Sequence, residues 1–187
     1  MLKKKESKSN IIKFNDIMTD EVKAEIIFQA SFYLFRVFRF LIVAGIIFSI
    51  FIPAINQDSS MQPTIYENDI SIYIKGNRNI KRGNIVTFIN QDGIRCSKRV
   101  IGLPGDILEF KKGKVYINGM EFKKDYVKGK TFGHNYDKIK IPEGSYFLLG
   151  DNRLVSVDSR EIGPVKGEDI VGKLLFKIPT NKIAEKF

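Results

Sequence analysis

Two side chains of this chain are of types that together could do nucleophilic chemistry: Ser60 and Lys98. Ser60 lies in Ser59-Ser60-Met61-Gln62-Pro63-Thr64, just after a long apolar run. A serine hydroxyl becomes a nucleophile only when a base takes its proton. The one histidine, His134, sits in the polar stretch Thr131-Phe132-Gly133-His134-Asn135, which reads as an exposed loop, so a Ser-His-Asp triad has thin support. Lysine is the alternative base. An ordinary lysine, with a pKa of about 10.4, leaves roughly one molecule in two to three thousand as free amine at pH 7, so such a base must be buried against apolar neighbours. The segment Ile94-Arg95-Cys96-Ser97-Lys98-Arg99-Val100-Ile101 meets that condition on a strand. Cys96, Lys98 and Val100 then share one face, and Arg95, Ser97 and Arg99 the other. Judged on spacing alone, a solvated surface lysine and an ordinary loop serine remain open readings.

The elements around these residues fall into three parts. From Phe40 to Ile55 the chain runs for 16 residues without a charge. As helix that run is about 24 Å long, against a hydrocarbon core of about 30 Å. Extension back to Val37, with Arg36 and Arg39 reaching the headgroups, brings it to about 28 Å, so residues 37–55 are expected to form one transmembrane anchor. Apolar residues on every face suit lipid better than the alternative, a buried core helix. A cleavable signal fits less well, because five acidic residues precede the run and no small-x-small site ends it. Residues 1–36, with Lys3, Lys4, Lys5 and Lys8, are expected to be cytoplasmic, and residues 56–187 to form an extracytoplasmic catalytic domain. Within the N-terminal segment Ile11, Phe14, Met18, Val22 and Ile26 recur at helical spacing, which predicts an amphipathic helix leading into the span.

Beyond Asn56 short runs rich in Ile, Val, Phe and Tyr are broken by Gly, Asn, Asp and Pro, the pattern of a mainly β domain. Strands are expected at 70–75, 85–90, 94–101, 107–110, 115–117, 146–149 and 170–178. Asn118-Gly119 between Val115-Tyr116-Ile117 and Met120-Glu121-Phe122 predicts a two-residue hairpin, since both residues tolerate the positive φ of a type I′ turn.

Composition narrows the chemistry. A single cysteine, Cys96, excludes an intramolecular disulfide, and one Cys with one His is too little for a structural zinc site. Cys96 is expected to pack rather than to act in redox chemistry. No glycine-rich phosphate loop follows a strand, so neither a nucleotide nor another cofactor, nor a metal, is expected. The net charge of +10 points to acidic partners. Membrane lipid headgroups fit better than nucleic acid, for which no motif with interleaved aromatics is present.

Three segments taken together carry a resemblance: Ser60-Met61-Gln62-Pro63-Thr64, Lys98-Arg99-Val100-Ile101-Gly102-Leu103-Pro104-Gly105-Asp106, and Gly150-Asp151-Asn152-Arg153 continuing to Ser156-Val157-Asp158-Ser159-Arg160. In this order, after an apolar anchor, they resemble the signature boxes of type I signal peptidases, most closely the short, singly anchored Gram-positive form. The likeness covers most of residues 56–179 and includes the Asn118-Gly119 hairpin and Pro142-Glu143-Gly144. It implies a signal-peptidase-like β domain preceded by one transmembrane helix, and an enzyme that removes signal peptides from exported preproteins at the outer membrane face. It also implies roles for single residues. Ser60 would be the nucleophile, Lys98 the general base, and Ser156 the partner that orients Lys98. Asp158 and Arg160 would form a supporting ion pair, and Met61 and Pro63 would shape the substrate pocket. Asp151, Asn152 and Arg153 would hold a turn rather than touch substrate.

The chain departs from the family pattern at Asp58, two residues before the nucleophile, where relatives tend to carry Gly or Ser. A carboxylate facing a developing oxyanion repels it unless protonated or turned away. Leu154 and Val155 stand where a polar pair is frequent, and as apolar residues in a surface turn they suit lipid or a partner. These departures keep a second reading open: a peptidase-like assembly factor or chaperone for exported proteins, such as pilus proteins, that binds without cutting. A soluble self-cleaving Ser-Lys repressor shares the chemistry, but the apolar span and the third segment argue against it.

Overall fold

A computed structural model describes residues 19–76 and 79–180. The expected amphipathic stretch at Ile11, Phe14 and Met18 lies outside the described residues, while Val22 and Ile26 fall in the first helix.

Helix α1, Asp20–Ile50, begins with two acidic residues in its first turn, which suits the positive end of the helix dipole, and none of its residues is buried. It is long and apolar enough to cross a membrane. Its arginines fold back along it, Arg36 over the ring of Phe32 and Arg39 over that of Phe35. The apolar run expected as helix to Ile55 divides at Ile50, and Phe51–Ile55 becomes strand β1. Pro53 explains the break, because proline lacks an N–H, clashes with the preceding turn and pushes the residue before it to extended backbone. β1 is an edge strand, the place where a proline is tolerated.

The β domain consists of two antiparallel sheets. The larger holds β1, β2 (Ile70–Lys75), β3 (Ile85–Ile89), β4 (Arg95–Gly102), β9 (Ser145–Leu149), β10 (Val165–Lys166) and β11 (Ile170–Ile178). Their order is β1-β2-β11-β3-β4-β9-β10. The smaller sheet is built from β5 (Ile107–Lys111), β6 (Lys114–Ile117), β7 (Met120–Phe122) and β8 (Lys138–Lys140), in the order β7-β6-β5-β8. The hairpin expected at Asn118-Gly119 joins β6 to β7, with φ of 51° and 83° at the two residues. Each strand predicted from the sequence is found, within two residues at its ends. The strands not foreseen are β1, β8 and β10; β8 and β10 are too short to show alternation.

Burial of apolar strand faces holds the domain together. Ile101 of β4 and Phe147 and Leu149 of β9 pack against Leu108, Phe110, Val115 and Ile117 of the smaller sheet. Val86, Phe88, Val100, Leu148, Val165 and Ile170 form a second cluster within the larger sheet. The third cluster matters most for the site. Ile52, Tyr73 and Ile85 receive Met61 and Ile65, both fully buried, from the loop that carries Ser60. That loop is also closed on itself by the bonds from Asn56 N–H to Asp69 O at 2.9 Å and from Asn68 N–H to Asn56 O at 2.8 Å.

Candidate active site

β3 and β4 pair with Val86 opposite Lys98 and Phe88 opposite Cys96. The alternation along β4 turns Lys98 and Cys96 toward one cavity and sends Arg99 the other way, as the spacing predicts. Lys98 is 3% exposed and Ser60 5%. Lys98 Nζ donates to Ser60 Oγ at 2.8 Å. Ser60 Oγ in turn donates to Asp58 Oδ1 at 2.8 Å, and the same oxygen accepts the Ser60 backbone N–H at 2.9 Å. Lysine, serine and aspartate thus form one chain of hydrogen bonds.

This chain lines a cavity of about 240 Å³ whose apolar walls include Phe88, Ile94, Val155, Val157 and Ile162. A neighbouring cavity of about 470 Å³ shares Asp58, Ile94 and Cys96 with the first and adds Asn56, Ser71, Tyr73, Arg95 and Ser97. The two cavities lie along the Arg95–Lys98 part of β4. β9 pairs with β4 only from Arg99 onward, so among the described strands this stretch has a neighbour on the β3 side alone. The Cys96 thiol is pushed above its ordinary pKa by burial, which keeps it protonated and suits the packing role expected of it.

Met61 and Pro63, expected to shape the substrate pocket, line neither cavity. The tight turn at Ser60–Thr64 points Met61 inward to the core, where its apolar side chain is stabilised, and leaves Pro63 on the surface. Met61 packs there against Ile52, Ile65, Tyr73 and Ile85, beneath the nucleophile's loop. Of the apolar walls, only Val155 was singled out by comparison with the family pattern. Phe88 faces the site because β3 pairs with β4, and Ile94, Val157 and Ile162 come from loops and a short helix with no local signal.

The third segment grips this loop from beneath. Asn152 donates its backbone N–H to Ser60 O at 2.9 Å and its side-chain amide to Ser59 O at 3.2 Å. Asp151, fully buried, accepts from Arg99 Nε at 2.7 Å and Nη2 at 2.6 Å, and also from Thr64 Oγ1. The Arg99 guanidinium lies 3.9 Å from the centre of the Tyr126 ring. Such bidentate and stacked contacts suit arginine in a way lysine could not match. Gly150 has no room for a side chain: a Cβ there would stand 2.2 Å from Ser156 Oγ and 2.7 Å from Ser60 O.

Asp158 and Arg160 form a buried pair, 0% and 1% exposed, with Arg160 Nε donating to Asp158 Oδ1 at 2.8 Å and Nη2 to Oδ2 at 2.9 Å. Asp158 also caps the short helix α2, Ser159–Ile162, and accepts the Gly150 N–H at 3.0 Å, so the pair holds the backbone beside Ser60. Arg153 donates to Gly150 O at 3.0 Å and to Thr131 Oγ1, and burial lowers its pKa to about 10. Ser156 is buried, but its Oγ has no hydrogen-bond partner among the described residues, so the bond to Lys98 that resemblance implies is not formed in this arrangement. No cluster of His, Cys, Asp and Glu among the described residues could hold a metal ion.

The family described as signal peptidase, peptidase S26, matches residues 29–178. Signal peptidase I P of Bacillus subtilis subsp. natto is 35% identical over 184 residues, covering 91% of this chain and 90% of that protein. Signal peptidase I S of Bacillus subtilis (strain 168) is 34% identical over 141 residues, 68% of this chain and 76% of the relative. A crystal structure of a signal peptidase I from Enterococcus faecalis is 33% identical, covers 52% of this chain and 97% of that one, and has a TM-score of 0.46.

Proposed function

The chain belongs to the signal peptidase family, peptidase S26, and from that premise we propose that it is a membrane-anchored serine endopeptidase that removes signal peptides from exported preproteins, with Ser60 as nucleophile and Lys98 as general base. The observation that carries this reading is the 2.8 Å bond between Lys98 Nζ and Ser60 Oγ, both buried at the wall of one cavity.

In this mechanism Lys98, as the free amine, takes the Ser60 proton while Oγ attacks the scissile carbonyl. The leaving amine receives that proton from Lys98, and water, activated by the same amine, then hydrolyses the acyl-enzyme. The oxyanion needs donors, and the Ser60 backbone N–H is one of them. An extended peptide adds to β4 along Arg95–Lys98, where backbone bonds give affinity and the two cavities receive side chains. Ser156, packed against Gly150 with an uncommitted hydroxyl, is the partner proposed to orient Lys98 during turnover. Asp158 and Arg160 support the site through Gly150.

α1 is the proposed anchor, with the basic residues before Phe40 keeping the N-terminal segment cytoplasmic and the β domain working outside, in contact with anionic lipid. In this reading the span is drawn from α1 alone: residues 37–50 make only about 21 Å of helix against a hydrocarbon core of about 30 Å, so the span begins before Val37, the cytoplasmic segment ends correspondingly earlier than residue 36, and the β domain is the catalytic part.

The test is cleavage of signal-peptide-bearing preproteins by the detergent-solubilised chain. Cleavage is expected, and both Ser60→Ala and Lys98→Ala abolish it. The carboxylate of Asp58 on the Ser60 N–H favours one second reading, a peptidase-like assembly factor; binding of preprotein without cleavage, unchanged in both variants, would select it.

A further inference from the structure

We propose that Asp58 is a third functional side chain at the nucleophile: a stopper that holds Ser60 at rest and swings away when a peptide occupies the site. This rests on Ser60 being the nucleophile and Lys98 its base. One oxygen, Asp58 Oδ1, accepts from the Ser60 backbone N–H at 2.9 Å and from Ser60 Oγ at 2.8 Å. Lys98 donates to the same Oγ at 2.8 Å. A hydroxyl has a single proton, and here it points to Asp58 rather than to the amine that must receive it. The backbone N–H that would steady the oxyanion is taken as well. A tetrahedral oxyanion cannot share that donor with a carboxylate, because two negative oxygens about 3 Å apart repel each other and compete for one N–H. Both the proton path and the oxyanion donor are therefore closed by one atom.

The surroundings let the side chain leave without unfolding the turn. The Asp58 backbone carbonyl is held by Asn56 Nδ2 at 2.7 Å, and the same amide bonds Tyr66 O at 3.3 Å. Only rotation of the Asp58 side chain, which is exposed, is needed. Asp58 lines both the cavity of Ser60 and the larger one beside it, where Arg95 offers a guanidinium to a displaced carboxylate. A peptide laid along β4 brings its carbonyl to Ser60 and puts Asp58 out of place. The Ser60 proton then turns to Lys98, and the N–H is free for the oxyanion. Asp58 itself makes and breaks no covalent bond.

The test compares the full chain in detergent with Asp58→Ser and Asp58→Gly, using a signal-peptide-bearing preprotein for turnover and a C-terminal peptide aldehyde as a probe that forms an oxyanion on Ser60. Since losing one donor costs an acyl-transfer enzyme about a hundred- to a thousandfold in rate, freeing one is expected to raise kcat at least about tenfold. KM should stay within about threefold, and aldehyde affinity should rise by a similar factor to kcat. A wild-type chain that is silent while either variant cleaves in a Ser60-dependent way supports the stopper most directly. If the wild type cleaves, and neither variant is faster or binds the aldehyde more tightly, the stopper is wrong and the peptidase reading stands. If neither the wild type nor any variant cleaves, both fall together. Equal thermal midpoints of the three proteins separate these outcomes from a folding defect.

Discussion

Asn152 donates its backbone N–H to Ser60 O and its side-chain amide to Ser59 O, so the turn after β9 holds the nucleophile's backbone directly. The loop is also pinned by Met61 and Ile65 in the core, by the Gln62 N–H on Ser59 O at 3.2 Å and by Asp58 on the Ser60 N–H. Asn152 adds the hold on Ser60 O and a second donor on Ser59 O.

Asn152→Ala keeps the backbone bond and deletes the side-chain one. A hydrogen bond of this type is worth about 1 kcal/mol, so kcat for preprotein cleavage is expected to fall about fivefold with KM nearly unchanged. Asn152→Asp, which accepts where a donor is needed, should be worse than alanine. Steady-state kinetics of the two variants decide it; an unchanged kcat in both would show that the loop needs no such grip.

Ser156 offers a prediction in which stability and activity move in opposite directions. Its buried Oγ has no partner among the described residues, and removing an unpaired buried hydroxyl is neutral or stabilising by about 1 kcal/mol. Ser156→Ala should therefore unfold at the same or a higher temperature while kcat falls if the hydroxyl orients Lys98 in turnover. A stable variant with full activity would leave Ser156 without a role at Lys98.

Arg160 neutralises Asp158 where neither meets water. Arg160→Ala strands a buried carboxylate and is expected to cost about 3–5 kcal/mol in chemical unfolding. The double change Asp158→Asn with Arg160→Met removes both charges and should recover part of that loss. If the double variant is the weaker of the two, the single variant's defect does not come from an unpaired charge.

Acid stability can be traced to Asp106. Burial pushes its pKa up, but the Leu103 N–H, the Asn118 amide and Arg82 outweigh burial and hold the carboxyl below its ordinary value. A group whose pKa is lower in the folded state than in the unfolded one stabilises above the unfolded value, about 3.9, and loses that contribution as pH falls through the folded value. Asp106→Asn should thus lower stability by about 1–3 kcal/mol near pH 7, and the gap to wild type should shrink as pH falls below the unfolded carboxyl value. Urea unfolding across this range measures it; a gap independent of pH would assign the effect to shape rather than charge.

Strand positions were readable from the sequence because each buries one face, and alternation of Ile, Val, Phe and Tyr records that directly. The face on which Lys98 lies was likewise readable from its neighbours at 96 and 100, while its burial was left open by spacing alone. The division of the apolar run at Ile50 was less so. Hydropathy sees a continuous stretch from Phe40 to Ile55, while the pairing of Phe51–Ile55 with β2 depends on residues that follow by about twenty positions.

The sequence by itself offered a serine behind an apolar run and a strand lysine with Cys96 and Val100 on its face, properties of residue type and local period, while the nucleophile, base and ion-pair roles came from the resemblance of the three segments. Only the tertiary structure decided how they meet. It sent Met61 to the core rather than the pocket, drew the cavity walls from Phe88, Ile94, Val157 and Ile162, and placed the Asp58 carboxylate on both the hydroxyl and the N–H of Ser60. Those outcomes depend on close packing and on distances of about 3 Å between groups far apart in the chain or turned by a single side-chain rotation, and no local pattern of residues encodes such distances.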